Sequence, residues 1–497
     1  GHLAWHFLTE SLTLTALAGV CALALAYAGL KLMLSLAPAD LPRLDEVHLA
    51  WTSVAFTAIV SLGAGGLFGL LPLTSVGRGG EDVTTLREGG RGMTSSRRQH
   101  AVRGTLVAAQ TALALVLLVA SGLMLQSFRN LRGVRPGFDA RGLLTARIDL
   151  PYARYQSYEK VEQFQRELLA RAGALTGVKS AASGSDIPLD GYNGCATIYA
   201  EGDVDGKSTE RGCVTTTSTT PGYFATLGVP IRGREPSWSD VENRTGAVVI
   251  TKALATRLWP GQDAIGRGIR GNGGTPPYYR VVGVADDIRG IALDKPVIEA
   301  AFYPLLPIPG AQLWSPQRSM SIVVRTTSSR PELLTPSLRR IVSELDPNVP
   351  LGEVRTMETV VARSMTRLSF TMMLLGVAAS MAMVLSAIGI YGVISYIVGR
   401  RRGEIGIRVA LGARAGQVGA MVVAQSVKLA AAGVVAGLIG SLAVTRVMRS
   451  VLFEVSPTDP LTLGGVSALM LLLAAGASYI PARRATRVNP VEALRSE

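Results

Sequence analysis

Long apolar runs dominate this chain and indicate its class. A helix needs about 20 mostly apolar residues to cross the hydrocarbon core of a bilayer, and six stretches qualify. Their Gly, Ala and Ser content is typical of helices that pack closely in a membrane. We therefore predict a multi-pass α-helical membrane protein with six transmembrane helices. The runs lie at about Leu14–Ala37, Thr52–Leu73, Thr105–Leu125, Phe370–Val398, Met421–Val444 and Leu461–Tyr479.

A long polar segment, residues 126–369, separates the third apolar run from the fourth. Its beginning reads as strand, amphipathic helix and strand, in "LLTARIDL", "SYEKVEQFQRELLARAGAL" and "VKSAASGSD". Its end repeats that order in "SIVVRTT", "PSLRRIVSELDP" and "VPLGEVRT". Helical spacing predicts one buried face in each helix. The residues of these faces are Val161, Phe164 and Leu168 in the first helix and Leu338, Ile341, Val342 and Leu345 in the second. We expect an α+β domain made of two β-α-β units and a middle subdomain.

The distribution of positive charge predicts which side of the membrane each segment faces. The formal net charge is +14, but basic residues occur in short clusters beside apolar runs. They form no long tract with interleaved aromatic residues, so we predict no nucleic-acid partner. Lys and Arg favour the cytoplasmic side, which predicts that residues 75–104, residues 399–420 and the C-terminus are inside. With alternating passes, the N-terminus is then also inside and residues 126–369 are outside. The arginines that carry this prediction are Arg87, Arg91, Arg97, Arg98, Arg103, Arg400, Arg401, Arg402, Arg408, Arg414, Arg483, Arg484 and Arg487.

Candidate catalytic chemistry is sparse in the polar segment. "GDVDGKST" has three residues between Gly202 and Gly206 where a phosphate-binding loop needs four, so we interpret it as a polar turn. The adjacent acids Asp286 and Asp287 lie at a predicted strand end, where such pairs commonly end the strand. The segment has no histidine, which argues against a Ser-His hydrolase or a His-based zinc site. We predict no catalytic residue, no metal and no cofactor.

Two of the three cysteines, Cys195 and Cys213, lie in the polar segment, and Cys21 lies in an apolar run. On an oxidising outer side, Cys195 and Cys213 are a candidate disulfide that closes a short loop. Two buried free thiols are the alternative, and the sequence leaves both open.

The stretch "RRRGEIGIRVALGARAGQV", Arg400–Val418, resembles the cytoplasmic coupling segment of MacB/FtsX-type ABC transporter permeases. "TTPGYFATLGVPIRGR", "VVITKALATRLWPGQDAIGRGI", "RVVGVADDIRG" and "PARRATRVNPVEALR" resemble other parts of that family. "ESLTLTALAGV" near the start also resembles "QSVKLAAAGVV" from Gln425, which indicates an internal repeat. The resemblance implies a tandem-duplicated permease whose first unit is N-terminally truncated.

This resemblance implies a division of the chain. Residues 1–104 would be the last two helices of a first FtsX-like unit plus a basic cytoplasmic linker, and 105–125 a transmembrane helix. Residues 126–369 would be a MacB-like periplasmic core domain. Residues 370–497 would be an FtsX-like permease domain with three transmembrane helices and the coupling segment 400–418.

The resemblance further implies a non-catalytic permease subunit of an ATP-driven export or lipoprotein-handling machine in the bacterial inner membrane. Its partners would be a cytoplasmic ABC ATPase and a periplasmic adaptor, with a homodimer or pseudo-dimer as the assembly. The alternative is a membrane-anchored receptor or scaffold that senses a ligand or activates a cell-wall hydrolase. The residues expected to contact the ATPase are Glu404, Ile405, Arg408, Val409, Leu411 and Gly412.

Overall fold

The computed structural model describes residues 2–36, 48–76, 93–190, 194–202, 213–271, 277–311, 315–400, 414–448 and 452–485. The chain divides into two compact units. Residues 1–127 and 370–497 form the membrane unit, and residues 128–369 form the outer unit.

The α-helices of the described residues are numbered in chain order. They are α1 (His2–Leu36), α2 (Trp51–Val76), α3 (Met93–Gly133), α4 (Tyr158–Gly173), α5 (Tyr223–Leu227), α6 (Trp238–Glu242), α7 (Lys252–Leu258), α8 (Thr335–Leu345), α9 (Met357–Ser364), α10 (Thr366–Arg400), α11 (Ala415–Val447) and α12 (Pro460–Ala485).

Strands occur in the outer unit. They are β1 (Leu143–Asp149), β2 (Val178–Gly184), β3 (Cys195–Ala196), β4 (Ile198–Ala200), β5 (Val214–Thr219), β6 (Ile231–Gly233), β7 (Ala247–Thr251), β8 (Gly268–Gly271), β9 (Tyr279–Ala285), β10 (Ala300–Pro304), β11 (Ser319–Thr326) and β12 (Leu351–Thr356).

Five helices of the membrane unit are long and apolar enough to cross a bilayer among the described residues. Their apolar spans are Leu8–Ser35, Gly104–Gly133, Leu368–Gly399, Gly416–Val447 and Pro460–Arg484. The second predicted span falls on α2, where the apolar stretch Trp51–Gly66 is too short to count. The sixth crossing therefore stays a prediction, while five candidate spans are established by length and composition.

The outer unit is built on one mixed sheet. The strand order is β12-β1-β11-β2-β5-β10-β7-β9-β8-β4, with β3 added on β5 and β6 on β9. The β5 and β10 strands are parallel, as are β7 and β9, whereas β1 pairs antiparallel with both β11 and β12. The strands of the two predicted β-α-β units thus interleave in one sheet, since β1 and β2 both pair with β11.

One face of this sheet is covered by α4 and α8, as their spacing predicts. Ser157 caps α4, with its hydroxyl accepting a hydrogen bond from the backbone N–H of Lys160. The predicted apolar faces are buried against the strands and against each other, which confirms the helical interpretation of both segments. The residues of this core include Val161, Phe164, Leu168, Leu338, Ile341 and Val342, together with Leu144, Ile148, Ile322 and Val324 from the sheet.

A polar residue interrupts the buried face of α4. The Gln165 side chain is fully buried, and neither its amide oxygen nor its nitrogen has a hydrogen-bond partner in the described structure. A buried polar group left without a partner costs about 1 to 3 kcal/mol.

We predict that Gln165→Met raises the free energy of unfolding by about 1 kcal/mol or more, because it removes two unpaired polar groups at similar volume. Thermal or denaturant unfolding of the purified chain measures this. Gln163→Met is the matched control, since Gln163 is exposed on the same helix. If Gln165→Met were destabilising while Gln163→Met was neutral, the buried amide would be hydrogen-bonded in the folded protein and the prediction would be wrong.

Candidate functional site

The coupling residues predicted from the sequence lie outside the described residues. Glu404, Ile405, Arg408, Val409, Leu411 and Gly412 all fall between the end of α10 and the start of α11. The structure describes the two helices that flank this segment, α10 and α11. The candidate site is therefore built from these helices and from the helices packed against them.

The ends of α10 and α11 next to the coupling segment share one buried apolar cluster. Ile394 and Val398 come from α10, and Val418 and Val422 from α11. Helices α3 and α12 also contribute to it. We call this group the base cluster: Val107, Ile390, Ile394, Val398, Val418, Val422, Ala430, Ala474 and Ala482. Four helices therefore share one core beside the ends of α10 and α11.

Farther along α11, two glycines face α3. A methyl group at Gly433 would lie 2.7 Å from the carbonyl oxygen of Ala108, and one at Gly437 would lie 2.9 Å from that of Ala112. Contacts this short leave no room for a side chain. Glycines four residues apart are a standard device for bringing membrane helices into backbone contact. We call Gly433 and Gly437 with the facing turns of α3 the glycine seam.

Polar groups also join α3 to α10. The hydroxyls of Thr111 and Ser386 lie 3.2 Å apart and are both fully buried. One turn away, the Gln110 side chain lies against Gly389, where an added methyl group would be 2.7 Å from its amide oxygen. In a bilayer, buried polar groups need protein partners because no water is at hand. These contacts therefore specify which faces of α3 and α10 meet.

At the opposite end of the bundle, α3 contacts the connection between α11 and α12 and the start of α12. The Ser127 hydroxyl accepts a hydrogen bond of 2.9 Å from the backbone N–H of Phe453, in the connection between α11 and α12. Asp459 caps the start of α12 through the backbone N–H of Thr462, at 2.9 Å. A methyl group at Gly122 would lie 2.9 Å from the Thr462 side chain. Helix α3 thus contacts α10, α11 and α12.

The contacts also define helix directions. Along α11, residues 433, 437 and 440 meet residues 108, 112 and 116 of α3, so the two helices run parallel. Along α10, Ser386 meets Thr111 while Gly376 lies near Ser121, so α10 runs antiparallel to α3. These directions agree with alternating passes through a bilayer. Helix α3 continues unbroken to Gly133, shortly before the first strand of the outer unit.

In the outer unit the structure bonds Cys195 to Cys213, with their Cα atoms 5.3 Å apart. The backbone brings them together because Cys195 lies on β3, which pairs antiparallel with β5, and Cys213 immediately precedes β5. Pairing of Ala196 with Val214 and of Cys195 with Thr215 is the tertiary feature that the sequence alone did not reveal.

The adjacent acids at the end of β9 have different surroundings. An Asp287 oxygen accepts a hydrogen bond of 2.7 Å from the backbone N–H of Ala253, in the first turn of α7, whereas Asp286 is exposed. Asp287 therefore acts as a cap for a helix terminus. Across the described residues, no cluster of His, Cys, Asp and Glu has the geometry to hold a metal ion.

One half-buried carboxylate in the outer unit, that of Asp186, lines a cavity. Burial raises the pKa of Asp186 to about 6. The cavity is lined mostly by apolar groups such as Ile187, Ile288 and Phe302, and it has a volume of about 20 Å³. That is room for about one water molecule, so this cavity holds no larger ligand.

Comparison with known families gives two matches in chain order. A model described as MacB-like periplasmic core domain matches residues 107–341, and one described as FtsX-like permease C-terminal matches residues 376–490.

Among curated proteins, the chain is similar to the macrolide export ATP-binding/permease protein MacB of Nitrobacter winogradskyi, at 36% identity over 24% of this chain and 19% of the relative. The pyoverdine export ATP-binding/permease protein PvdT of Pseudomonas syringae pv. syringae is 32% identical over 27% of this chain and 20% of the relative. The MacB of Marinobacter nauticus is 24% identical over 54% and 41%. The chain thus spans between a fifth and two fifths of the length of these relatives.

Among solved structures, the chain is similar to the periplasmic region of MacB from Actinobacillus actinomycetemcomitans. The similarity covers 47% of this chain and 95% of that one, at 12% identity and a TM-score of 0.31.

The first prediction from the site concerns the glycine seam. Gly437→Val should destabilise the bundle by about 1 to 3 kcal/mol, because the added methyls meet the backbone of α3 and force α11 outward. Thermal unfolding of the purified chain in detergent measures it. Gly476→Val on α12 is the control, since a methyl group there would meet no atom within 4 Å in the described structure. Equal unfolding temperatures for the two variants would contradict the seam.

The second prediction concerns the cysteines. After denaturation without a reductant, one thiol per chain, that of Cys21, should react with a maleimide, because Cys195 and Cys213 are bonded. After reduction, all three cysteines of the sequence should react. Mass spectrometry counts the added groups. Three reactive thiols before reduction, in protein purified from the membrane, would mean that the disulfide does not form in the cell.

Proposed function

We propose that this chain, which belongs to the MacB/FtsX-type ABC transporter permeases, is the permease subunit of an ATP-driven export or lipoprotein-handling machine. The family places an ATPase beside the permease. The relatives are named ATP-binding/permease proteins, and the two family models matched here describe a MacB-like periplasmic core domain and an FtsX-like permease C-terminal region. In our proposal, ATP hydrolysis belongs to a separate cytoplasmic partner and this chain carries no catalysis.

The observation that best supports a coupling role is the base cluster. The segment that resembles a coupling helix begins and ends on α10 and α11, and both helix ends are buried in the same four-helix core. A force applied to the segment would therefore displace the core as a unit. In our proposal, closure of the ATPase pushes the segment, and the helices carry the motion outward.

Helix α3 offers a direct route for that motion. It contributes Val107 to the base cluster, meets α11 at the glycine seam, and runs unbroken to Gly133. A continuous helix rises about 1.5 Å per residue and transmits displacement along its axis. In this proposal the outer unit is the receiver of the motion, on the outer side of the bacterial inner membrane, where a periplasmic adaptor would act with it. A homodimer or pseudo-dimer is the assembly we expect.

Within the coupling segment, we propose that Ile405, Val409 and Leu411 form the apolar side that contacts the ATPase. Glu404 and Arg408 are four residues apart and can pair on another side of a helix, and Gly412 permits a tight turn at its end.

Ile405→Asp tests the proposal. The new charge should enter an apolar contact, and association with the ATPase should weaken by about 2 kcal/mol or more. Co-purification of the ATPase and its stimulated activity should fall together, while the yield of chain in the membrane stays unchanged. Arg401→Ala is the control in the same segment, at a position we assign to lipid headgroups. If the ATPase co-purified fully with the Ile405→Asp variant, the proposed contact would be wrong.

A further inference from the structure

The outer end of α3 carries three arginines that the proposed function leaves without a role. Arg129 and Arg132 lie in the last turns of the helix, and Arg135 follows its end at Gly133. All three side chains are exposed. We call them the arginine face.

The arginine face continues the lipid-facing side of the helix. Leu125 is 39% exposed, whereas Phe128 and Leu131 are 7% and 2% exposed. At 3.6 residues per turn, Leu125, Arg129 and Arg132 share one side. The two arginines lie about 6 Å and about 10 Å beyond Leu125 along the axis. With Leu125 near the edge of the hydrocarbon, Arg129 lies in the headgroup layer, which is about 5 to 7 Å thick on each side. The Arg132 guanidinium reaches back to the same layer, because helical side chains lean toward the N-terminus of the helix.

These arginines also lack acidic partners. In the described part of the chain, none of the three forms an ion pair, and the stretch Gln126–Phe138 contains no Asp or Glu. Other arginines of the outer unit are neutralised locally, for example Arg141 by Asp139 at 3.1 Å and Arg154 by Asp346 at 3.0 Å. The Arg132 guanidinium stacks on the Phe128 ring, 4.7 Å from its centre, which leaves its hydrogen-bond donors available.

Three unpaired cations at this position run against the usual distribution of charge, because arginine beside a membrane helix is favoured on the cytoplasmic side. An anionic ligand at the same depth would offset that cost. Guanidinium groups bind phosphate through two parallel hydrogen bonds, and phospholipid phosphates lie at the depth that the arginine face reaches.

We propose that the arginine face binds the phosphate groups of anionic phospholipids in the outer leaflet. The contact holds the end of α3 at the headgroup layer, where the helix leaves the membrane for the outer unit. This inference rests on the proposed function only for its orientation, with residues 126–369 outside.

The experiment places a fluorescent bimane at Leu125→Cys in the full chain, with Cys21→Ser to remove the other free thiol. The labelled chain is reconstituted in nanodiscs of phosphatidylcholine. Quenching by brominated phosphatidylglycerol is compared with quenching by brominated phosphatidylcholine, which reports the lipid next to the arginine face. We expect a preference of about tenfold for phosphatidylglycerol.

Three variants decide the outcome. Replacing Arg129, Arg132 and Arg135 together by Gln should abolish the preference, and replacing them by Lys should keep most of it, because Lys retains the charge. Replacing Arg330, Arg339 and Arg340 by Gln removes the same charge from exposed positions elsewhere in the outer unit and should change nothing. An unchanged preference in the first variant, or an equal loss in the third, overturns the proposal.

Two further arms distinguish a bound phospholipid from a free anion and test the orientation. Inorganic phosphate at matched ionic strength should leave the preference intact, and if it removed the preference, the arginines would be a site for small anions. Orientation is read from Ser329→Cys, which should react with a membrane-impermeant maleimide from outside intact, outer-membrane-permeabilised cells. Labelling only after lysis would overturn the outward orientation, and the bound phospholipid would then not belong to the outer leaflet. A retained preference for phosphatidylglycerol in nanodiscs would still establish the contact between the arginine face and anionic lipid.

Discussion

The membrane bundle depends on the backbone contact between α11 and α3 at Gly433 and Gly437. Lipid tails are as apolar as the helix side chains, so membrane helices gain little from burying apolar surface against each other. Close van der Waals packing must supply the association, and it needs two surfaces that approach without side chains between them. The carbonyl oxygens of Ala108 and Ala112 lie where those side chains would be.

With α11 held against it, α3 contacts three of the other candidate spans, α10, α11 and α12. It also meets α10 through Thr111 and Ser386, and the connection before α12 through Ser127. Each polar contact joins groups that would otherwise be unpaired away from water, so each specifies a register as well as adding stability. The base cluster completes the arrangement where the proposed coupling segment leaves the bundle.

The outer unit ties together the two chain segments that connect it to the membrane. Strand β1 follows α3 along the chain and β12 precedes α10, and these strands pair directly, with Leu144 opposite Thr356. The interleaved strand order makes this possible, because β1 lies between β11 and β12. The two strands next to these helices along the chain therefore lie side by side at one edge of the sheet, which suits a domain proposed to respond to motion in the membrane.

The sequence by itself determined what depends on local pattern. Apolar length predicted the membrane spans, of which five are candidates in the structure, and helical spacing predicted the buried faces of α4 and α8. Small residues in α11 indicated close packing without identifying the helix on the other side. Only the tertiary structure decided that α3 is that helix, that Cys195 bonds to Cys213, and that the strands interleave. These features join residues distant in sequence, and a local periodicity constrains which face of an element is buried but carries no information about which other element covers it.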